Sequence, residues 1–308
     1  MNFLLIGGAG SVGRELTSLL LKEGQEVKVL DRDEASLGHL PPKVEAIHGN
    51  LEDKKALEHA LSGVEVICHL AWSFSDDPLY LLDHDLKGHI HLLEAASTLQ
   101  IKHFIYTSSA IVYGKPSHVP LTEEAPCLVD QARKPIYAVA KQMAENLTLS
   151  YGRMKNLPVT VFRFWWSFGE KIGGRHLKEM LQTARQGAPL SVPARAGGSF
   201  LHHEDLLKAL LLVLQKEASK GQIFNLATQY FTWEEIAQII KDVTQSSSPI
   251  EVVPADAWRG AAFLADLWEL STEKAERVIG YKSSFSKKAA LNRLREAMGQ
   301  FLKDIKKD

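Results

Sequence analysis

The stretch NFLLIGGAGSVGREL, residues 2–16, decides the fold. NFLLIG is a short apolar run ending at glycine, the pattern of a buried strand. SVGRELTSLLLKEG continues as an amphipathic helix closed by Gly24. Between them, Gly7, Gly10 and Gly13 leave no Cβ where the chain must turn tightly and let a ligand approach the backbone. Ser11 and Val12 open the helix, whose first N–H groups and dipole face whatever sits on the loop. A glycine turn placed between a strand and a helix reads as a cradle for a dinucleotide pyrophosphate.

The next strand, EVKVLD, ends on Asp31. A carboxylate there accepts hydrogen bonds from ribose hydroxyls and repels a 2′-phosphate, which favours NAD over NADP. Arg32 is the opposing signal, because a guanidinium pairs with phosphate. Outward from this unit the alternation continues. EAIHGN, VEVICHLA, HFIYTSS and PVTVFRF read as strands. DKKALEHALSG, DLKGHIHLLEAASTLQ and IYAVAKQMAENLTLSYGRMKN read as helices. Such alternation predicts an α/β fold, a Rossmann-type doubly wound parallel sheet covered on both faces. After Phe168 the regularity breaks into turns and the remaining helices, although QIFNLA (residues 222–227) reads as one more sheet strand. The expected organisation is a dinucleotide-binding domain over residues 1–168, with 198–228 returning to it. A smaller interleaved C-terminal substrate lobe then takes residues 169–197 and 229–308. The tail FLKDIKKD reads as a fraying helix end.

Bulk properties set limits on function. The 308 residues carry a formal charge of −1, with 45% hydrophobic and 24% charged residues. This is ordinary globular composition and gives no electrostatic argument for nucleic acid or an anionic membrane as partner. The N-terminal apolar run is too short for a signal peptide or span. Two cysteines, Cys68 and Cys127, are too few for a disulfide framework. The expectation is a cytoplasmic protein acting on a small molecule.

YAVAK places Tyr137 and Lys141 four residues apart on one helix face. A phenol with a pKa near ~10 is a poor base at neutral pH. A neighbouring ammonium favours its phenolate and brings it towards a working range.

The glycine loop, Asp31, GNLED, HLA, YTSSAIVYG, YAVAK and FLHHEDLLKAL together resemble the extended short-chain dehydrogenase/reductases, within them the NAD-dependent epimerase/dehydratase family. The resemblance runs from Met1 to about Gly280. It implies that Ser109, Tyr137 and Lys141 are catalytic: Ser109 on the reacting oxygen, Tyr137 as acid/base, Lys141 as its partner and a ribose ligand. It further implies that Asn50 and Leu51 line the adenine site, with Asn50 in place of the family's usual Asp. Leu70, Ala71 and Trp72 follow the phosphate–ribose side, and Asp85 stands where Asn is common. Thr107 and Phe164 complete the cofactor set, and Ser73, Ser109 and Trp166 face substrate. The helices DHDLKGHIHLLEAAS and YAVAKQMAENLTLSYGRMK correspond to those that pair relatives into homodimers through a four-helix bundle.

The departures narrow the chemistry. Family dehydratases carry an Asp–Glu pair after the position of Ser109. Here Ala110 and Ile111 follow, and neither transfers protons. Net oxidation or reduction, or epimerisation through a transient ketone, is therefore favoured over dehydration. In FWWSFG, Trp166 stands where nucleotide-sugar epimerases commonly carry Asn. Phe74 replaces a lysine that can follow the HLA segment, and Gly198 replaces the arginine of the usual RDFxHV pattern. These losses predict a sugar-like or cyclic substrate without a diphosphate. A nucleotide-sugar 4-epimerase, a reductase of non-sugar ketones and a redox-silent dinucleotide-binding regulator are the alternatives. His202, His203 and Asp205 read as structural rather than as a metal site, and Cys68 reads as core.

Overall fold

The structure, a computed structural model, describes residues 1–305. Its first half alternates as its residue pattern dictates. The strands are β1 (Asn2–Ile6), β2 (Glu26–Asp31), β3 (Glu45–His48), β4 (Val66–His69), β5 (His103–Thr107) and β6 (Val159–Arg163). The helices between them are α1 (Ser11–Lys22), α2 (Glu34–Leu37), α3 (Lys54–Leu61), α4 (Pro78–Tyr80), α5 (Lys87–Ser97) and α6 (Pro135–Lys155), with a π-helical turn (Leu81–Leu86) joining α4 to α5. There follow β7 (Trp166–Phe168), α7 (Arg175–Arg185), β8 (Leu190–Pro193), β9 (Gly197–His202), α8 (His203–Val213), β10 (Gln222–Asn225) and β11 (Gln229–Thr232). The chain ends with α9 (Trp233–Thr244), β12 (Ile250–Val253), β13 (Leu267–Trp268), α10 (Glu273–Ile279) and α11 (Lys287–Ile305).

The central sheet has seven strands in the order β10-β6-β5-β4-β1-β2-β3, every neighbouring pair parallel. Because helices cover both faces, alternate residues of one strand enter different cores. Phe3 and Leu5 pack with Leu16 and Leu20 of α1 and with Leu206 and Leu210 of α8. Leu4 and Ile6 pack with Leu57 of α3, Leu92 of α5 and Ala144 of α6. Strand order reverses between β1 and β4, which opens a crevice at the carboxyl ends of the strands, where such sheets bind ligands.

The second lobe contains strands that periodicity does not reveal. β9 pairs antiparallel with β11 and parallel with β7 and β13, and β8 pairs with β12. Its core includes an aromatic cluster, with Phe168, Phe200, Phe231 and Trp233 buried among aliphatic side chains. Of residues 198–228, β10 joins the central sheet and α8 packs on it, whereas β9 belongs to this second sheet. The expected helical tail runs to Ile305, and residues 306–308 lie outside the described part.

Candidate active site

The site forms where the glycine loop, the ends of β4 and β5, and the start of α6 converge. Gly7 has φ +80°, and a Cβ on it would lie 2.7 Å from the Cα of Ala71. A Cβ on Gly13 would lie 2.5 Å from the Cα of Gly8, so α1 could not pack so closely on the loop. Gly10, the residue capping α1, brings no side chain, and the first turn of α1, from Ser11 and Val12, carries no acidic residue. The N–H groups at this helix end therefore remain available to an anion. Asp31 at the end of β2 accepts from the backbone N–H of Ala9 at 3.0 Å, which ties the strand end to the glycine loop. Arg32 donates to the Tyr80 hydroxyl at 2.7 Å.

Across the reversal, the N–H groups of Leu70 and Ala71 both donate to the Ile6 carbonyl at 2.9 Å, closing the loop after β4 onto β1. Thr107, ending β5, donates its hydroxyl to the His69 carbonyl at 2.9 Å. Its own carbonyl accepts from Lys141 Nζ at 3.0 Å. That ammonium lies 4.4 Å from the centroid of the Trp72 ring and 4.8 Å from that of Tyr106. Burial pushes the Lys141 pKa down to about 7, opposed by the carboxylates of Asp85 and Glu145. Tyr137, one turn earlier on α6, is 5% exposed. Burial raises its phenol pKa, while the Arg133 charge acts to lower it and Asp85 adds to the rise. The exposed ring of Phe74 stacks on Tyr137 with centroids 5.3 Å apart. Ser109 caps the 3-10 turn Ala110–Tyr113, its hydroxyl accepting from Ile111 N at 3.2 Å. Ala110 and Ile111 are buried and apolar. Half-buried Phe164 anchors this turn through its carbonyl, which accepts from Ala110 N at 2.9 Å.

With this geometry in view, comparison with known proteins is decisive. The family model for the NAD dependent epimerase/dehydratase family matches residues 3–227. The chain belongs to that family. It is 28% identical to a UDP-glucose 4-epimerase from Lactobacillus helveticus over 316 residues, covering 92% of each chain. Among solved structures, it superposes with a TM-score of 0.81 on a UDP-glucose 4-epimerase with UDP-glucose from Thermotoga maritima. That match has 22% identity and covers 98% of this chain and all of that one. A UDP-glucuronic acid 4-epimerase from Bacillus cereus, in complex with UDP-glucuronic acid and NAD, matches with a TM-score of 0.80 at 19% identity, covering 98% of this chain and 100% of that one. The cofactor of this family member is NAD, and a loop that admits no Cβ at Gly7 and Gly13 fits it.

Several expected site residues have protein partners of their own. Asn50 accepts from the N–H groups of Glu52 and Asp53 at 2.8 and 3.0 Å, making the turn into α3. Leu51 is half-buried, with its carbonyl 3.3 Å from His91 Nδ1. Ser73 donates both its N–H, at 3.0 Å, and its hydroxyl to Asp85, so the π-helical turn is clamped to the loop after β4. The Trp166 indole donates to the Gly173 carbonyl at 3.1 Å and stacks on Phe200, leaving the ring half-buried. Trp165 stacks against Trp268 at 6.2 Å and covers Gly198. His202 accepts from Glu204 N, and Asp205 accepts from Thr228, Ser283 and Ser284. Among the described residues, no group of three or more His, Cys, Asp or Glu could hold a metal ion. Cys68 is buried and its thiol is pushed up to about 12 by burial. No described helix is long and apolar enough to cross a membrane.

Sequence reading alone does not bring out two features. Arg163 on β6 forms a bidentate ion pair with Glu145 on α6, at 2.6 and 2.9 Å, with both side chains buried. Arg133, just ahead of α6, lies 4.1 Å from the centroid of the Phe263 ring in the second lobe. Neither carries a sequence motif; only the spatial pairing marks them.

Proposed function

We propose that the protein is an NAD-dependent dehydrogenase/reductase or epimerase acting at a secondary alcohol or ketone of a sugar-like or cyclic substrate that lacks a diphosphate. When bound, the dinucleotide supplies the hydride acceptor and donor. Tyr137 removes the carbinol proton and returns it to the ketone. The Ser109 hydroxyl donates to the oxygen as negative charge develops on it. Lys141 holds positive charge beside the phenol and a ribose hydroxyl. The remaining members of the cofactor set bind as the family resemblance implies. The buried Ala110 and Ile111 carry no acid or base for losing water.

The observation that carries the substrate reading is the cover over Gly198. A Cβ there would lie 2.1 Å from the Trp165 ring, so no side chain can reach out from the position of the family's phosphate-binding arginine. Aromatic surface from Trp166 replaces polar contact and suits an uncharged ring face. The likeness to UDP-glucose 4-epimerases favours a second reading, a nucleotide-sugar 4-epimerase. Calorimetry with UDP-glucose separates the two. Weak or absent binding is expected, and tight, specific binding restores the second reading. Reduced cofactor released during turnover of a cyclic alcohol marks a dehydrogenase. Product formed with no net change in reduced nicotinamide marks an epimerase.

In this reading Asp31 also accepts from the adenosine ribose. Asp31→Ser should weaken NAD and narrow its margin over NADP, with Arg32 enlarging the shift once the carboxylate is gone. Paired NAD and NADP titrations check this, and a margin that does not move removes the ribose role. We further infer a homodimer through α5 and α6. The apolar cleft between them is lined by Leu82, Leu86, Ile90, Met143 and Leu147, and Leu82 and Met143 are exposed. Sedimentation showing a monomer throughout the micromolar range would overturn the dimer.

A further inference from the structure

Arg133 and Lys134 are adjacent cations with different surroundings. Lys134 is engaged, with Nζ 2.9 Å from the Phe74 carbonyl and 3.0 Å from Asp76. Arg133 is solvent-accessible and, among the described residues, has no carboxylate partner. Its guanidinium instead lies over the Phe263 ring, in the short 3-10 turn Ala262–Leu264 of the second lobe. Among the described residues no hydrogen bond engages its N–H donors, whose fork matches a carboxylate or phosphate. The position is also informative. Arg133 precedes Tyr137 by four residues, and Phe263 meets it from the opposite lobe. A ligand held between Tyr137 and the second lobe would therefore lie beside an unpaired cation.

We propose that Arg133 is a specificity-determining residue that binds a single anionic group, a carboxylate or a phosphate monoester, on the same substrate whose carbinol reacts at Tyr137. This rests on the proposed function above and narrows its substrate class to anionic sugar-like or cyclic alcohols. Electrostatics around the residue agree. Although the side chain stays solvent-accessible, the protein packed around Arg133 acts to lower its pKa, and the Tyr137 phenol opposes that. His176, at the start of α7, has its pKa lowered by burial first, with Glu179 opposing and Arg133 adding to the fall. Tyr137 and His176, on either side of the crevice, both feel the Arg133 charge, which a bound anion would neutralise.

The test uses the NAD-loaded protein and matched sets of ligands: glucuronate, glucose and glucose 6-phosphate, with the corresponding galactose set. Initial rates and calorimetric binding are both read. The wild type should favour an anionic member over its neutral parent by at least about tenfold in kcat/KM or affinity. Whichever anion is favoured identifies carboxylate or phosphate as the group. Arg133→Met should cut that ratio at least about tenfold, mainly through KM, without changing NAD affinity, and Arg133→Lys should restore part of it. A wild type that treats anionic and neutral members alike overturns the proposal. So does an Arg133→Met variant that weakens all members equally, which would make the residue a strap between lobes. Turnover of neutral members without any anion preference sinks this inference and keeps the proposed function. Failure to bind or turn over any member overturns this inference, and the proposed function is decided separately by the UDP-glucose titration and the turnover of a cyclic alcohol.

Discussion

Tyr137→Phe is expected to abolish turnover while leaving NAD binding nearly unchanged. The substitution keeps the ring that packs with Ala132 and Ala138 and that stacks under Phe74, and it removes only the hydroxyl. The loss should be at least the ~10²–10⁴-fold typical of a general acid/base. Without help that phenol is a poor base, because burial raises its pKa. In the proposed mechanism Lys141 supplies the help only while protonated, and burial has pushed its pKa down to about 7. As pH rises through that value in the cofactor-free protein, Lys141 sheds its charge and support for the phenolate falls. Steady-state rates beside NAD titration check the prediction. A variant within a few-fold of wild type would remove Tyr137 from the chemistry.

The second large effect is on stability. Glu145→Ala should destabilise the fold by about 3–5 kcal/mol, because it leaves the Arg163 guanidinium buried without its counter-charge. Among the described residues, removing the carboxylate leaves that guanidinium the Tyr113 ring at 4.9 Å and the Cys127 sulfur at 3.5 Å. Among the described residues, its Nη1 has no hydrogen-bond partner even with Glu145 in place. Domains are stable by only about 5–15 kcal/mol, so the change takes a large fraction of the total. Urea unfolding should show a lower midpoint, with Glu145→Gln falling between wild type and Ala. A midpoint shift equivalent to under about 1 kcal/mol would mean that the pair is replaceable.

The sheet and the glycine loop were legible because they depend on local pattern. Apolar runs bounded by glycine, with amphipathic helices between, leave little choice of layer or connection. The second sheet was hidden for a physical reason. β9 begins Gly197–Gly198, and β13 has only two residues, so neither shows the period of a strand. β9 is held there by strands remote in sequence, β7, β11 and β13. Trp165 and Trp166, conspicuous in the sequence, are fixed in that aromatic core, and only the structure shows Trp165 lying over Gly198. Arg133 was invisible because DQARKP looks like an ordinary polar loop before a helix. Its interest comes from Phe263, which is remote in sequence. Glu145 was similarly silent, as one charge on a long helix until β6 is placed beside it.

The placement of β10 at the edge of the central sheet, parallel to β6, has a consequence for biosynthesis. β6 ends at residue 163 and β10 at residue 225, so the ribosome adds 62 residues between them. At roughly 5–20 residues per second this takes about 3–12 s. A sheet that assembled as the chain emerged would present β6 as its outermost strand throughout that interval, without the edge partner it has in the finished protein, and such an edge recruits other strands. Residues 169–221, including much of the second lobe, emerge during the wait. A chaperone that shields the β6 edge at this stage would protect the finished protein while leaving the glycine loop after β1, three strands away, untouched.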